Sequence, residues 1–67
     1  MYQSMVLHEF KKKDGIYTRD DGKYIIKPIY VGSDKMFRVF DVEKGIDVFD
    51  FWKLKHAKMI FGVERKG

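Results

Sequence analysis

Two runs of β-branched and aromatic residues, 16–19 and 24–31, flank the tetrapeptide Asp20-Asp21-Gly22-Lys23. Asp-Gly between such runs is the strongest short-range signal for a β-hairpin, because both residues reach the positive φ of a type I′ turn cheaply. With Asp21 and Gly22 at the centre of the turn, Tyr17 is expected opposite Ile26 and Thr18 opposite Ile25. Gly32-Ser33-Asp34-Lys35 reads as the next turn, and an even-length loop there sets Tyr30 opposite Phe37 and Ile29 opposite Arg38. The side-chain period of two then sorts the unit into two faces. One holds Tyr17, Arg19, Tyr24, Ile26, Pro28, Tyr30, Phe37 and Val39. The other holds Ile16, Ile25, Lys27, Ile29, Val31, Met36, Arg38, Phe40 and Val42, and its aliphatic character marks it as the expected core. Pro28 has no N–H to give a ladder, so β structure near it must lie at an edge or a bulge.

The flanks are less regular. Residues 2–10 read as a first strand, closed by Asp14-Gly15, with Lys11-Lys12-Lys13 as a solvated loop or a blunted sheet edge. Glu43-Lys44-Gly45 is a third turn signal, and residues 46–49 read as a further strand. Asp50 has the chemistry of a helix N-cap. Residues 51–61 lack a breaker and space Trp52, His56, Met59 or Ile60, and Val63 helically, so a helix is expected there and residues 64–67 are expected as a tail. The fold class expected is α+β: a small, partly curled antiparallel sheet of four to five strands with a short C-terminal helix. The alternative is an all-β SH3-like small barrel, in which residues 46–54 and 58–63 are strands.

At 67 residues the chain has room for one core and therefore one domain. It has no cysteine, so neither a disulfide nor a thiolate metal site is available to it. Eleven aromatic side chains, or a second subunit, must make up the stability. No leader pattern or apolar span is seen, and a cytoplasmic protein with no membrane partner is expected. The formal net charge of +4 is unevenly laid down. Residues 1–38 and 51–67 are basic, whereas residues 39–50 carry Asp41, Glu43, Asp47 and Asp50 against Lys44 alone. A basic excess attracts phosphate.

Candidate chemistry is sparse. Ser4, Ser33 and Thr18 have no nucleophile signature around them, and His8 and His56 show no metal-ligand spacing. The glycines sit singly at turns rather than in a phosphate-binding loop. No enzyme, cofactor, metal or small-molecule substrate is expected. Aromatic rings on one sheet face with cations between them suit nucleic-acid bases and their backbone. The expectation is accordingly a non-enzymatic, DNA-binding regulator using Tyr17, Arg19, Lys23, Tyr24, Lys27, Tyr30, Phe37 and Arg38. The alternative is a protein–protein interaction module, such as a small inhibitor or regulator acting as a homodimer, using Phe51, Trp52, Lys53, Lys55 and Met59. The stretch Gly15-Ile16-Tyr17-Thr18-Arg19-Asp20-Asp21-Gly22-Lys23-Tyr24 also resembles the opening hairpin of the arm-type DNA-binding domains of phage and transposon integrases. That resemblance covers ten residues and implies a sheet followed by a helix, with DNA as the partner.

Overall fold

A computed structural model describes residues 4–66. In chain order these form β1 (Ser4–Leu7), β2 (Phe10–Lys13), β3 (Ile16–Arg19), β4 (Tyr24–Val31), β5 (Asp34–Asp41), β6 (Ile46–Phe51), α1 (Leu54–Phe61) and β7 (Val63–Lys66). β2 to β6 make an antiparallel meander in sequence order, and β1 pairs with β7 in a separate two-stranded ribbon. The five-stranded sheet is open, with β2 and β6 as its edges, so the architecture is α+β and the barrel is not formed.

The turns explain the meander. Asp14 and Gly15 both take positive φ (55° and 80°) and join β2 to β3 with Lys13 opposite Ile16, the geometry of a two-residue I′ turn. The I′ turn therefore falls here and not at Asp21-Gly22. In the β3–β4 connection the Gly22 N–H donates to the Arg19 carbonyl at 2.8 Å, which centres that turn on Asp20 and Asp21. The expected register survives all the same, with Tyr17 opposite Ile26 and Thr18 opposite Ile25. Between β4 and β5 the connection is only Gly32-Ser33, with Gly32 at φ 62°, as a II′ turn requires. This shorter loop moves Tyr30 opposite Lys35 and Phe37 opposite Pro28, two residues from the expected pairing. The parity is unchanged, so each residue keeps its face.

Which face is buried is the reverse of the expectation. Ile26 and Val39, on the tyrosine-bearing face, are fully buried with Ala57 of α1, and Phe10, Tyr17, Tyr24, Phe37, Phe51, Leu54 and Phe61 pack around them. A single short helix covers a sheet only through long side chains that fill the space between the layers, and aromatic rings reach furthest. The aliphatic face is left uncovered by any helix.

Three further elements differ from the expectation. Asp50 does not cap the helix; it lies in β6 opposite Arg38, which donates from Nε at 2.8 Å and from Nη2 at 3.0 Å. That ion pair and the Phe37–Phe51 pairing extend β6, so α1 starts later, at Leu54, behind Lys53 with no side-chain cap. Residues 63–66 are a strand and not a tail. The first strand is broken at His8-Glu9, where the His8 N–H donates to the Gly62 carbonyl (2.6 Å) and the Glu9 carbonyl accepts from Asp20 N–H (2.8 Å). Tyr2 and Gln3, part of the expected first strand, lie outside the described residues. Lys11, Lys12 and Lys13 stand on the edge strand β2. Pro28 lies just past the last residue of β4 that β3 pairs with, so one side of the strand is an edge there.

Gly62 sits where the two sheets and the helix meet. A Cβ at this position would fall onto the Lys58 carbonyl oxygen and come within 3.0 Å of that of His8. Both obstacles are backbone, so relief requires moving α1 away from β1. Gly62→Ala should lower stability by about 1–3 kcal/mol, read as a shift in the urea midpoint. An unchanged midpoint would show that this junction is loose.

Candidate nucleic-acid interface

Most of the rings expected to stack on bases lie in the core. Tyr17, Tyr24 and Phe37 are half-buried against it, and only Tyr30, 71% exposed near the end of β4, stays open. Arg19 is 4% exposed. Its Nε and Nη2 donate to the two carboxylate oxygens of Asp21, and its Nη1 donates to the Phe61 carbonyl at 3.1 Å. The guanidinium carbon also lies 4.8 Å from the centre of the Tyr24 ring. Arg19 thus joins the β3–β4 turn to the C-terminal end of α1, where a cation suits both the free carbonyls and the helix dipole. Lys23 lies 4.0 Å from Glu43, and Arg38 is shared between Asp50 and Asp47. Of the eight residues the sequence nominates for nucleic acid, the half-buried Lys27 and the exposed Tyr30 have no ion-pair or hydrogen-bond partner among the described residues. Lys27 lies with its ammonium 5.1 Å from the Phe40 ring on the uncovered face.

The folded chain separates its charges. Lys11, Lys12 and Lys13 on β2, Lys27 and Lys35 on the β4–β5 hairpin, and Lys53, Lys55 and Lys58 beside or within α1 have no carboxylate within 4.0 Å among the described residues. Asp20, Asp21, Asp41, Glu43 and Glu64 gather at the opposite end of the sheet, whereas Asp14, Asp34 and Asp50 lie nearer the lysines, in the β2–β3 turn, at the tip of the β4–β5 hairpin and opposite Arg38. At the opposite end Asp20, Asp21 and Glu64 surround His8, and Asp21 pairs with Arg19. Glu43 pairs with Lys23, and the Asp41 carboxylate accepts from the Lys44 N–H. The residues nominated from the sequence do not include Lys35 or Lys11-Lys12-Lys13, which read better as a solvated loop or blunted edge than as a phosphate contact, although consecutive lysines on a strand present cations to both faces.

At the lysine-rich end, β4 and β5 outrun their neighbours. β3 pairs with β4 only at Ile25 and Ile26, and β6 begins to pair with β5 only at Phe37. Beyond these points Ile29–Met36, Tyr30–Lys35 and Val31–Asp34 form a free two-stranded ribbon, closed by Gly32-Ser33. The molecule is correspondingly long, 47 × 20 × 19 Å. Two shoulders flank the ribbon: Lys13 and Lys27 on the β3 side, and Trp52 and Lys53, which follow β6, on the other. Trp52 is 64% exposed, and Met59 and Lys55 are also at the surface, whereas Phe51 packs against Phe49 and Phe61.

The carboxylate-rich end has its own chemistry. His8 Nδ1 lies 2.6 Å from Asp20 Oδ1, and Nε2 lies 3.0 Å from Glu64 Oε2. Only the doubly protonated ring donates at both nitrogens. The hydrogen bonds to Glu64 and then Asp20 raise the His8 pKa above its ordinary 6.5. Asp21 is held far below the usual carboxylate range by the Arg19 guanidinium. His8, Asp20 and Asp21 place one ligand atom each within 4.8 Å of one another, the one such group among the described residues. Arg19 already donates to both oxygens of Asp21, and each ring nitrogen of His8 already faces a carboxylate. A cleft of about 440 Å³ nearby is lined by Arg19, Lys23, Tyr24, Glu43, Ile60 and Glu64 among others, with no serine, threonine or histidine in its wall.

No protein-family model, curated protein or solved structure matches the chain. Among the described residues, no helix is long and apolar enough to cross a membrane.

The His8 bridge makes stability depend on pH with a fixed sign. Its folded pKa is raised, so its contribution is complete below pH 6.5 and is lost as pH rises through the folded value. Urea midpoints taken at about pH 6 and about pH 8.5 should fall for the wild type and stay level for His8→Gln. Equal losses in both proteins would remove His8 as the cause.

Proposed function

We propose that the protein binds nucleic acid through its lysine-rich edge and end. The observation that carries this reading is a partial segregation of charge: eight lysines have no carboxylate within 4.0 Å among the described residues, and they lie away from the acidic cluster around His8 and Arg19. A small protein with a modest excess of +4 gains a strong local field when its acids are collected elsewhere. The contact surface differs from a stacking platform. It consists of Lys11, Lys13 and Lys27 on the uncovered sheet face, Lys12 on the edge strand β2, Lys35 on the ribbon, Lys53 and Lys55 at the start of α1, and Tyr30 and Trp52 as exposed rings.

A second reading rests on the other edge of the sheet. β6 carries exposed Ile46, Val48 and Phe49, and α1 exposes Met59 and Ile60. Edge strands with apolar side chains invite pairing, and the opposite edge is blunted by three lysines. Of the two edges of the five-stranded sheet, β6 is therefore the one suited to self-association, in a two-fold dimer that joins β6 to its own copy. The bulge between Val39 and Phe40 is the one irregularity in its pairing with β5.

Titration of labelled double- and single-stranded DNA and RNA at low salt, repeated as salt is raised, tests the first reading. The log–log salt slope should be several units, and Lys11→Gln, Lys13→Gln or Lys27→Gln should each reduce it by about one. No binding at low salt would end this reading. The light-scattering mass of the same sample decides the second: a dimer that Phe49→Ser converts to monomer supports it, and a concentrated monomer eliminates it.

A further inference from the structure

The free end of the β4–β5 hairpin has the dimensions and chemistry of a groove reader. Its three cross-strand pairs beyond the shoulders rise about 10 Å, and its strands lie about 4.8 Å apart. The major groove of B-form DNA is about 12 Å wide and about 8.5 Å deep and admits a two-stranded ribbon. Cations stand on both sides of the ribbon, as the phosphates stand on both sides of a groove: Lys13 and Lys27 on one shoulder, Lys53 on the other. The tip itself is not cationic. It presents Val31, Ser33 and Asp34, of which Val31 is 51% exposed. A carboxylate at the leading point is misplaced against phosphate. It is well placed to accept from a base amino group, and a valine methyl suits the methyl of thymine.

We infer that the β4–β5 ribbon enters the major groove of double-stranded DNA, with Val31, Ser33 and Asp34 against base edges and the lysines of the two shoulders against the flanking phosphates. This rests on the nucleic-acid reading above and narrows it to B-form duplex. The deep, narrow major groove of A-form RNA does not take a ribbon of this width. The ribbon is also firm enough to read a groove, because it is a paired ladder closed by a two-residue turn and not a loose loop.

The test is a dimethyl sulfate footprint on a bound DNA duplex, with affinities for DNA and RNA duplexes of equal length measured beside it. Protection of guanine N7, which faces the major groove, with adenine N3 still reactive in the minor groove, is the expected pattern. The DNA duplex should bind the tighter, and the pair Tyr30→Ala and Val31→Ala should weaken it about tenfold. Both side chains are exposed, so the fold should tolerate their loss, and the wild-type footprint needs no variant at all. Protection of adenine N3 alone, equal affinity for the two duplexes, or an unaltered affinity in the ribbon variant would each overturn the inference while binding itself stands. Absence of binding at low salt would overturn the underlying reading instead.

Discussion

A buried guanidinium organises one end of this molecule. Arg19 is nearly inaccessible, and a charge taken out of water costs several kcal/mol unless its donors are matched. They are matched by Asp21, the Phe61 carbonyl and the face of Tyr24. Those partners belong to the β3–β4 turn, the last turn of α1 and the first residue of β4. Holding them together brings the end of α1 over the sheet and delivers Gly62 to the His8 backbone. From that junction β7 runs out to pair with β1. With only three side chains in the fully buried core, a polar clamp of this kind is needed to fix where the helix ends.

The clamp also determines where charge is left over. Arg19 and His8 are satisfied by Asp21, Asp20 and Glu64, so these three carboxylates are drawn to one end of the sheet. Asp47 and Asp50 are likewise held by Arg38. The lysines elsewhere are left uncompensated among the described residues. The proposed nucleic-acid surface is thus a by-product of how the fold satisfies its buried cations, and no run of residues in the sequence announces it beyond Lys11-Lys12-Lys13.

The alternation of residues 16–31 made the hairpins legible, and it sorted Tyr17, Ile26 and Val39 onto one face and Ile25, Lys27 and Phe40 onto the other. It could not say which face a helix would cover. Alternation is symmetric between faces, and the choice depends on Arg19 reaching the end of α1, a contact across 42 residues. Asp50 misled for a related reason: a carboxylate at the end of an apolar run serves equally as a cap or as an ion-pair partner, and only the cross-strand neighbour Arg38 decides. The pairing of β1 with β7 joins the two ends of the chain, and no local pattern encodes it. The same holds for His8, whose second partner, Glu64, lies 56 residues away.

The length of the ribbon follows from a single turn. Had the β4–β5 loop spanned the four residues 32–35, the strands would have ended near the level where β6 begins to pair, and nothing would protrude. Gly32 at positive φ lets two residues make the reversal, so Val31 and Asp34 become strand and the hairpin extends past both shoulders. Such a free ribbon exposes unpaired edges, which ordinarily invite aggregation. Here Lys27 charges one edge just where β3 stops pairing, and beside it Pro28 contributes no N–H to any further ladder. A chain that needed β4 only for its core could have stopped at Ile26. The continued strands and the guarded edge are features that the core does not require.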